Sequence, residues 1–484
     1  MNTKLLKQKI LDLAIRGKLT QQLKSDGTAA DLLKEICDRT QEKTSLRAKR
    51  GNPSPQTIIP LDKSEAPFEI PENWEWVRLG DLCKASSGKT PSTSQKEFWN
   101  GNVLWVTSKD VKQKYIDSTQ ICLSDLGASS MQLYPPKTMI IVGRSGILRH
   151  SLPVAILKKS ATVNQDLKAL VFKDNRIVEL IYAVIKGMEQ HLLHEYKKAG
   201  TTVDNLNFDL FLTAPIPLPP LAEQQRIVAK IEEAFAEIDA IEKNRELLKT
   251  HIKQTRQKIL DLAIHGKLVP QNKSDEPASV LLERITRDNP HYEKIEDEPF
   301  EIPENWCWVK INDIALDMAD GPFGSNLKAE HYTDKKEARI IQLSNIAENG
   351  WKNENVRYTT FEHAKKNISR SIVEAGNLVI AKMMPAGRAM ICPSTEKMYV
   401  LSSDAVKLVP IDEINNQFLC YAINSPYFKA QVNGNIQGTT RLRTSISKLR
   451  ECLLALPPLN EQSRIVAKVE ELFSALDQME RNLV

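Results

Sequence analysis

The chain has 484 residues, 41% hydrophobic and 26% charged; it is too long for one hydrophobic core, and its balance excludes a disordered or collagen-like protein. The net charge is only +5, from 66 basic and 61 acidic residues, so any surface for nucleic acid must be local. No apolar run approaches the roughly 18–20 residues a membrane span needs, and Met1-Asn2-Thr3-Lys4 lacks an apolar secretory region, which predicts a cytoplasmic protein with no membrane partner. The cysteines (37, 83, 122, 307, 392, 420, 452) are scattered and never form C-x-x-C, which predicts reduced thiols and no zinc site.

In chain order, residues 1–40 read as a helical segment and 41–66 as a linker, with Arg47, Lys49 and Arg50 before Gly51-Asn52-Pro53-Ser54-Pro55. Residues 67–220 form a first globular module. Its β-branched and apolar runs Val103–Thr107 and Met139–Val142 predict strands, and Glu179–Lys198 a helix. A long helix follows over 221–268, a second linker over 269–298, and a second module over 299–458 with a strand at Asn377–Ala381 and a helix at Asn415–Val432. Residues 459–484 are again helical. The predicted class is α+β.

Four sequence boxes recur in the same order. Lys9-Ile10-Leu11-Asp12-Leu13-Ala14-Ile15-Arg16-Gly17-Lys18-Leu19 returns from Lys258 to Leu268, and Pro67-Phe68-Glu69-Ile70-Pro71-Glu72-Asn73-Trp74-Glu75-Trp76-Val77 returns from Pro299 to Val309. Gly200-Thr201-Thr202 returns as Gly438-Thr439-Thr440; Leu218-Pro219-Pro220-Leu221 with Glu223-Gln224 and Arg226-Ile227-Val228-Ala229-Lys230 returns from Leu456 to Lys468. The offsets are 249, 232, 238 and 238. After the first Pro-Pro the apolar positions Ile227, Ile231, Ala234, Ile238, Ile241, Leu248, Ile252, Ile259 and Leu262 alternate by four and three, interrupted at Arg245 and Thr255. The second copy runs Ile465, Val469, Leu472, Leu476, Met479 and Leu483. This is a coiled-coil seam. A helix from Leu221 to Ile264 would be about 65 Å long.

By these offsets Val484 corresponds to Glu246 and Met1 to Thr250. The expectation is a circular pseudo-two-fold repeat in which the C-terminal helix and the N-terminal segment meet end to end and rebuild the central helix. The helices would then run antiparallel, with the two globular units apart at the ends of the rod.

No catalytic constellation survives inspection. Gly88-Lys89-Thr90 ends like a P-loop, but Cys83 stands where its first glycine belongs and Pro91 follows. Asn289-Pro290-His291-Tyr292 departs from the amino-methyltransferase pattern at His291, with no glycine-rich cofactor fingerprint elsewhere. Glu195-x-Lys197 has no partnered acid, and His191-Leu192-Leu193-His194-Glu195 fits no zinc hydrolase. Two similar modules on a stiff helix suit a target with two separated features, and double-stranded DNA, with grooves repeating every ~34 Å, is the natural one. Ser86-Ser87-Gly88-Lys89-Thr90-Pro91-Ser92 differs from Asp320-Gly321-Pro322-Phe323-Gly324-Ser325-Asn326-Leu327-Lys328, so the predicted target is asymmetric.

The paired Pro-Pro-Leu-x-Glu-Gln-x-Arg-Ile-Val-Ala-Lys pattern, the Gly-Thr-Thr boxes, Lys-Ile-Leu-Asp-Leu-Ala-Ile-x-Gly-Lys-Leu, Ile-Pro-x-Asn-Trp-x-Trp, and Thr90-Pro91 before Phe98-Trp99-Asn100-Gly101-Asn102-Val103-Leu104-Trp105-Val106 together resemble the specificity subunits of type I restriction-modification systems. The resemblance spans nearly the whole chain. It implies two target-recognition domains separated by spacer helices, each reading one part of a split DNA site. It implies assembly with methyltransferase (modification) subunits and ATP-driven restriction subunits, and no catalysis by this chain. S-adenosylmethionine, ATP and magnesium would be bound by those partners. Phosphate and base contacts require cationic and amide or hydroxyl side chains. The candidates are Lys89, Thr90, Ser92, Ser108, Lys109, Arg144, Arg149, Asn164 and Gln165 in the first module, and Ser325, Asn326, Lys328, Asn345, Lys382, Arg388, Arg441 and Arg443 in the second. Trp74, Trp76, Trp306 and Trp308 are expected to pack in the core. A coiled-coil scaffold that reads no DNA is the alternative.

Overall fold

The computed structural model describes residues 2–45, 58–200, 203–287, 292–348, 350–434 and 443–483. The chain divides into two compact units, Met1–Asn244 and Arg245–Val484. The boundary lies beside Glu246, the residue the repeat pairs with the last position, so each unit holds one copy of the repeat. The central helix spans Leu221–Ile264, beginning directly after Pro219-Pro220, and its 44 residues match the predicted length. The N-terminal helix is Thr3–Ile15, capped by the Asn2 side chain on the Leu5 N–H, and the C-terminal helix is Leu459–Asn482.

The N-terminal helix and the end of the central helix stop in the same way. Lys18 N–H donates to the Leu13 carbonyl at 2.8 Å, and Lys267 N–H to Leu262 at 2.9 Å. The turn needs a left-handed residue, supplied by Gly17 (φ 66°) and Gly266 (φ 65°). Each glycine also lies against a proline of the Ile-Pro-x-Asn-Trp box: a Cβ on either would sit 2.3 Å from Cγ of Pro71 or Pro303.

Within the first unit the N-terminal helix runs antiparallel to the first half of the central helix. Thr3 bonds Glu242, Lys7 pairs with Asp239, and Thr20 reaches Glu223. The second unit repeats this with the other half of the central helix: Arg256 pairs with Asp477 and Glu480, and Gln271 bonds Glu461. Lys7 lies over the Phe235 ring and Arg256 over Phe473, at 5.7 and 5.1 Å. Ile227, Ile231, Ile238, Ile252, Ile259, Ile465, Val469 and Leu476 are buried as the seam predicts. Ile241, Leu248 and Met479 are exposed instead.

The sequence boxes meet at one node per unit. Trp74 Nε1 donates to Glu223 Oε2 at 2.9 Å and Gln22 Nε2 to Glu223 Oε1 at 2.9 Å. Trp306 and Gln271 make the same bonds to Glu461 at 3.0 and 2.5 Å. Beside each, an arginine one helical turn on holds an aspartate: Arg226 with Asp26 (2.7 and 2.6 Å) and Arg464 with Asp275 (2.7 Å). Burial pushes the Glu461 carboxyl above its ordinary range, against the bonds from Trp306 and Gln271.

Each module opens and closes on an antiparallel strand pair, Glu75–Arg78 with Pro215–Leu218 and Cys307–Lys310 with Leu453–Leu456. In the first module a five-stranded sheet has the order Cys83–Ser87, Leu167–Phe172, Met139–Val142, Val154–Leu157, Tyr115–Ile116. In the second, Ala315–Asp320, Ala405–Pro410, Leu378–Ala381 and Ala389–Ile391 follow the same plan. A second sheet in each, three-stranded in the first module and five-stranded in the second, contains one parallel pair, Trp99–Val106 with Ala161–Val163 and Ala338–Ile341 with Tyr399–Leu401. In the first module Lys114 bridges Glu179 of the module and Glu232 of the central helix, at 2.9 and 2.7 Å. Burial opposes the Lys114 charge, but these acids outweigh it and hold its pKa above the ordinary range.

The predicted helix Glu179–Lys198 breaks into Val178–Gly187 and Glu189–Tyr196 and ends in a strand. The N-terminal helix crosses at the break: a Cβ on Gly187 would lie 3.0 Å from Ile15, and Gln8 donates to the Gly187 carbonyl. The predicted helix Asn415–Val432 breaks before Pro426, which has no N–H to continue it. The predicted linker 269–298 contains the helix Ala278–Thr286, which buries Ala278, Leu281 and Leu282 in the core. It repeats Ala29–Ser45 of the first unit, part of which falls in the predicted linker 41–66; residues 46–57 of that linker lie outside the described residues.

Gly17→Ala should cost more than about 1 kcal/mol, because both the φ and the space are wrong for a side chain, whereas Gly146→Ala, with nothing within 4 Å of the new Cβ, should be nearly neutral; denaturant midpoints test this. The Arg226 bond and charge hold Asp26 below the ordinary carboxylate range. The contribution is present above the unfolded-state pKa and is lost as pH falls through the folded value. Asp26→Asn should therefore lower the midpoint at neutral pH, with the gap to the parent closing in acid.

Candidate nucleic-acid interface

In the first module the strand Cys83–Ser87 leads into Gly88, which crosses the loop after Ala161–Val163 so closely that a Cβ would lie 2.0 Å from the Val163 carbonyl oxygen. Lys89 N–H donates to that carbonyl at 3.0 Å, and the Thr90 hydroxyl donates to Gln165 Oε1. Asn164 N–H donates to Val106 at 3.0 Å, which joins this loop to the turn carrying Ser108 and Lys109. The Asn164 side chain is buried, and its Oδ1 has no partner among the described residues. Gly143 and Arg144 donate their N–H groups to the Asp166 carbonyl. Arg144 pairs in register with Asn205, and Arg149 lies 3.9 Å from Asp204. One edge of the sheet therefore gathers Lys89, Thr90, Ser108, Lys109, Arg144, Arg149, Asn164 and Gln165. Ser92 lies on the same loop as Thr90, bonded to Ser94 at 2.8 Å.

The second module builds the same edge from other side chains. Gly321 follows Ala315–Asp320 and presses on the loop after Tyr399–Leu401; a Cβ would lie 1.7 Å from the Ser402 carbonyl oxygen. The exposed residues Ser325, Asn326 and Lys328 follow it. Their loop is held by Asn326 N–H on the Phe323 carbonyl (2.8 Å), by His363 Nε2 on the Asn326 carbonyl (2.8 Å) and by Lys328 N–H on His331 Nδ1 (2.9 Å). Lys382 donates its N–H to Asp404 and its ammonium to Asp320 at 2.5 Å, and Met383 bridges to Arg443. Arg388 is half-buried, its Nε on the Pro385 carbonyl at 3.0 Å; burial lowers its pKa against the nearby Glu348.

Asn345 does not belong with these residues. Its side chain is fully buried, its Oδ1 accepts from Gln342 N–H (2.8 Å), and its Nδ2 donates to Lys352 and Glu354 (2.9 and 2.6 Å). All its capacity goes to shaping the loop after Ala338–Ile341. Arg441, both Gly-Thr-Thr boxes beyond Gly200, and Asn289–His291 lie outside the described residues. Sequence reasoning missed Lys168, whose ammonium bonds Ser87 Oγ at 2.7 Å beside Gly88. Its place as the one charge in Leu167-Lys168-Ala169-Leu170 was the available signal. Trp74, Trp76, Trp306 and Trp308 are core residues, as expected. Among the described residues no group of histidines, cysteines and acids is arranged to hold a metal, and no helix is long and apolar enough to cross a membrane.

Two copies of one α+β frame, with unlike polar loops at the matching edge, define a double recognition subunit. The chain belongs to the family described as the type I restriction modification DNA specificity domain, whose model matches residues 71–250 and 303–484. It is a specificity subunit with two target-recognition domains. It is 25% identical to the type I restriction enzyme EcoAI specificity subunit of Escherichia coli, over 98% of this chain and 90% of that one. To the EcoR124I/EcoR124II specificity subunit of Escherichia coli it is 36% identical, over 45% of this chain and 50% of that protein. In fold it is similar to a solved structure described as "Structural basis underlying complex assembly and conformational transition of the type I R-M system". That likeness has a TM-score of 0.57 at 17% identity and covers 86% of this chain and 94% of the other.

Asn345→Ala strands one buried N–H and two carbonyls and should cost about 1–3 kcal/mol, whereas Lys109→Ala and Arg144→Ala at exposed positions should stay within about 0.5 kcal/mol. Denaturant unfolding of the full chain distinguishes the two classes.

Proposed function

We propose that the chain reads a split, asymmetric DNA site without performing chemistry itself, each domain contacting one part of the site through the edge that carries its candidate residues. The observation that carries this is the identity of the frame and the difference of the loops. Gly88 and Gly321 occupy the same place, yet one is followed by Lys89 and Thr90 and the other by Pro322 and Phe323. Cationic groups such as Lys89, Arg144, Lys328 and Arg443 would meet phosphates, while amide and hydroxyl groups such as Gln165 and Asn326 would read base edges.

On this reading the central helix separates the two parts of the site. The outer faces of the helices, away from the seam, receive methyltransferase subunits; restriction subunits join that complex in the cytoplasm. S-adenosylmethionine, ATP and magnesium act on those partners. The domain plan also retains the N-terminal segment as the completion of a second spacer helix.

Methylome sequencing of cells carrying the system, with and without this chain, should show one bipartite motif that disappears with it. Exchanging residues 67–220 for those of a relative should change one part of that motif alone. Insertion of a heptad after Arg245 should change the tolerated gap and leave both parts intact. Mobility shifts with the modification subunits present measure the same preferences; equal binding to scrambled duplexes would refute the reading.

A further inference from the structure

The position two residues after the crossing glycine is filled in opposite ways in the two domains. In the first it is Thr90, whose hydroxyl is engaged by Gln165. In the second it is Phe323, a large apolar ring that is 83% exposed. Phe323 joins no core cluster and makes no ring contact among the described residues.

The loop beneath the ring is built rather than loose. Gly321 is wedged against the Ser402 carbonyl and its N–H is held by Ala405 at 2.9 Å. Pro322 is buried and fixes φ on one side. On the other, Asn326 N–H closes a turn onto the Phe323 carbonyl, and the stacked imidazoles of His331 and His363, 4.3 Å apart, hold Asn326 and Lys328. Gly324 has nothing within 4 Å of its Cβ position, so a bulky partner can approach the backbone there. The exposed neighbours include Ser325, Asn326 and Lys328, which suit phosphate and base edges and not an apolar protein surface, together with Asp320 and Glu330, which pair with Lys382 and Lys328.

We propose that Phe323 is a wedge that enters the duplex at the part-site read by the second domain and unstacks one base step. Apolar side chains placed between base steps are a general means of bending DNA toward a protein, and a base face is a surface that an exposed, unpartnered aromatic ring can cover. The inference rests on the DNA-reading function of this edge. It adds that the two domains differ in mode: the first engages an unbent duplex by hydrogen bonds, and the second deforms it. Specificity at the second part-site then depends on how easily one step unstacks.

The test uses the full chain with its modification subunits and duplexes carrying the motif found by methylome sequencing, with 2-aminopurine placed in turn at each step of the second part-site. The parent should brighten one position severalfold. Phe323→Ala should abolish that signal and weaken binding about tenfold, as loss of one stacking contact does, while Phe323→Trp should retain both. The first part-site should be unaffected in every variant. An unchanged signal and affinity in Phe323→Ala, with the parent still selective, would overturn the wedge alone. So would loss of affinity matched by uracil-for-thymine replacement with no position brightening, which marks a methyl contact. Failure of Phe323→Ala to assemble with the modification subunits would also overturn it, by showing a protein contact. A parent that prefers no sequence would remove the DNA-reading function and the wedge together.

Discussion

A buried carboxylate at the start of a long helix organises each half of this protein. Glu223 and Glu461 sit in the first turn of their helices, where unpaired backbone N–H groups and the helix dipole favour negative charge. Each accepts an indole N–H from the module and a glutamine amide from the stretch that follows the Thr3–Ile15 or Leu221–Ile264 helix. Three separate stretches of chain are tied at one residue, and a buried acid left without these donors would be strongly unfavourable. The adjoining Arg–Asp pairs and the glycines packed on proline add further ties at the same place. The helix register, the seating of the module and the closure of its first strand on its last all follow from this tie.

The same tie explains what could be read from the sequence. Gln22, Trp74 and Glu223 lie far apart in the chain, yet each recurs because each contributes one atom to a shared bond network. Boxes that satisfy one another in space are visible as boxes in order. The long helix was legible for a second reason: its seam has a period, and its bounds coincide with Pro-Pro before it and a left-handed glycine after it. What escaped was set by tertiary contact rather than local pattern. Gly187 is the one local mark of the break at Met188 in Glu179–Lys198, and its meaning is tertiary: another helix crosses there. Asn345 has the composition of a base reader, and only its burial among main-chain carbonyls shows that its amide is already committed. The helix Ala278–Thr286 was hidden by its polar, proline-containing surroundings, although its match to Ala29–Ser45 was present in the repeat.

A net charge of only +5 leaves any positive surface on this protein local. Many of the lysines and arginines elsewhere are paired within the protein: Lys114 with Glu179 and Glu232, Arg176 with Asp174 and Glu35, Lys407 with Asp317. The fully buried Arg339 instead spends its guanidinium on carbonyls of Ile340, Glu354, Asn355 and Arg357 and on the faces of Trp351 and Tyr358. Such groups are set aside for the frame, so the positive field that remains can be local to the loops.

Frame and loop therefore answer to different constraints. The frame is held by glycines whose Cβ would strike a carbonyl oxygen, by strand pairs at its base and by the carboxylate node; a change in any of these alters the whole unit. The side chains of Lys89, Thr90, Phe323, Ser325 and Asn326 contribute little to that frame, since all are exposed. A duplicated protein in which both halves keep the first set and differ in the second can change what it reads without changing how it folds. The Thr90–Gln165 bond in one half and the bare Phe323 ring in the other are the chemical extremes of that freedom: one spends its polarity locally and the other has no polarity to spend. The two edges hang from equivalent nodes, so their exposed side chains can differ while the bonds that hold each frame stay the same.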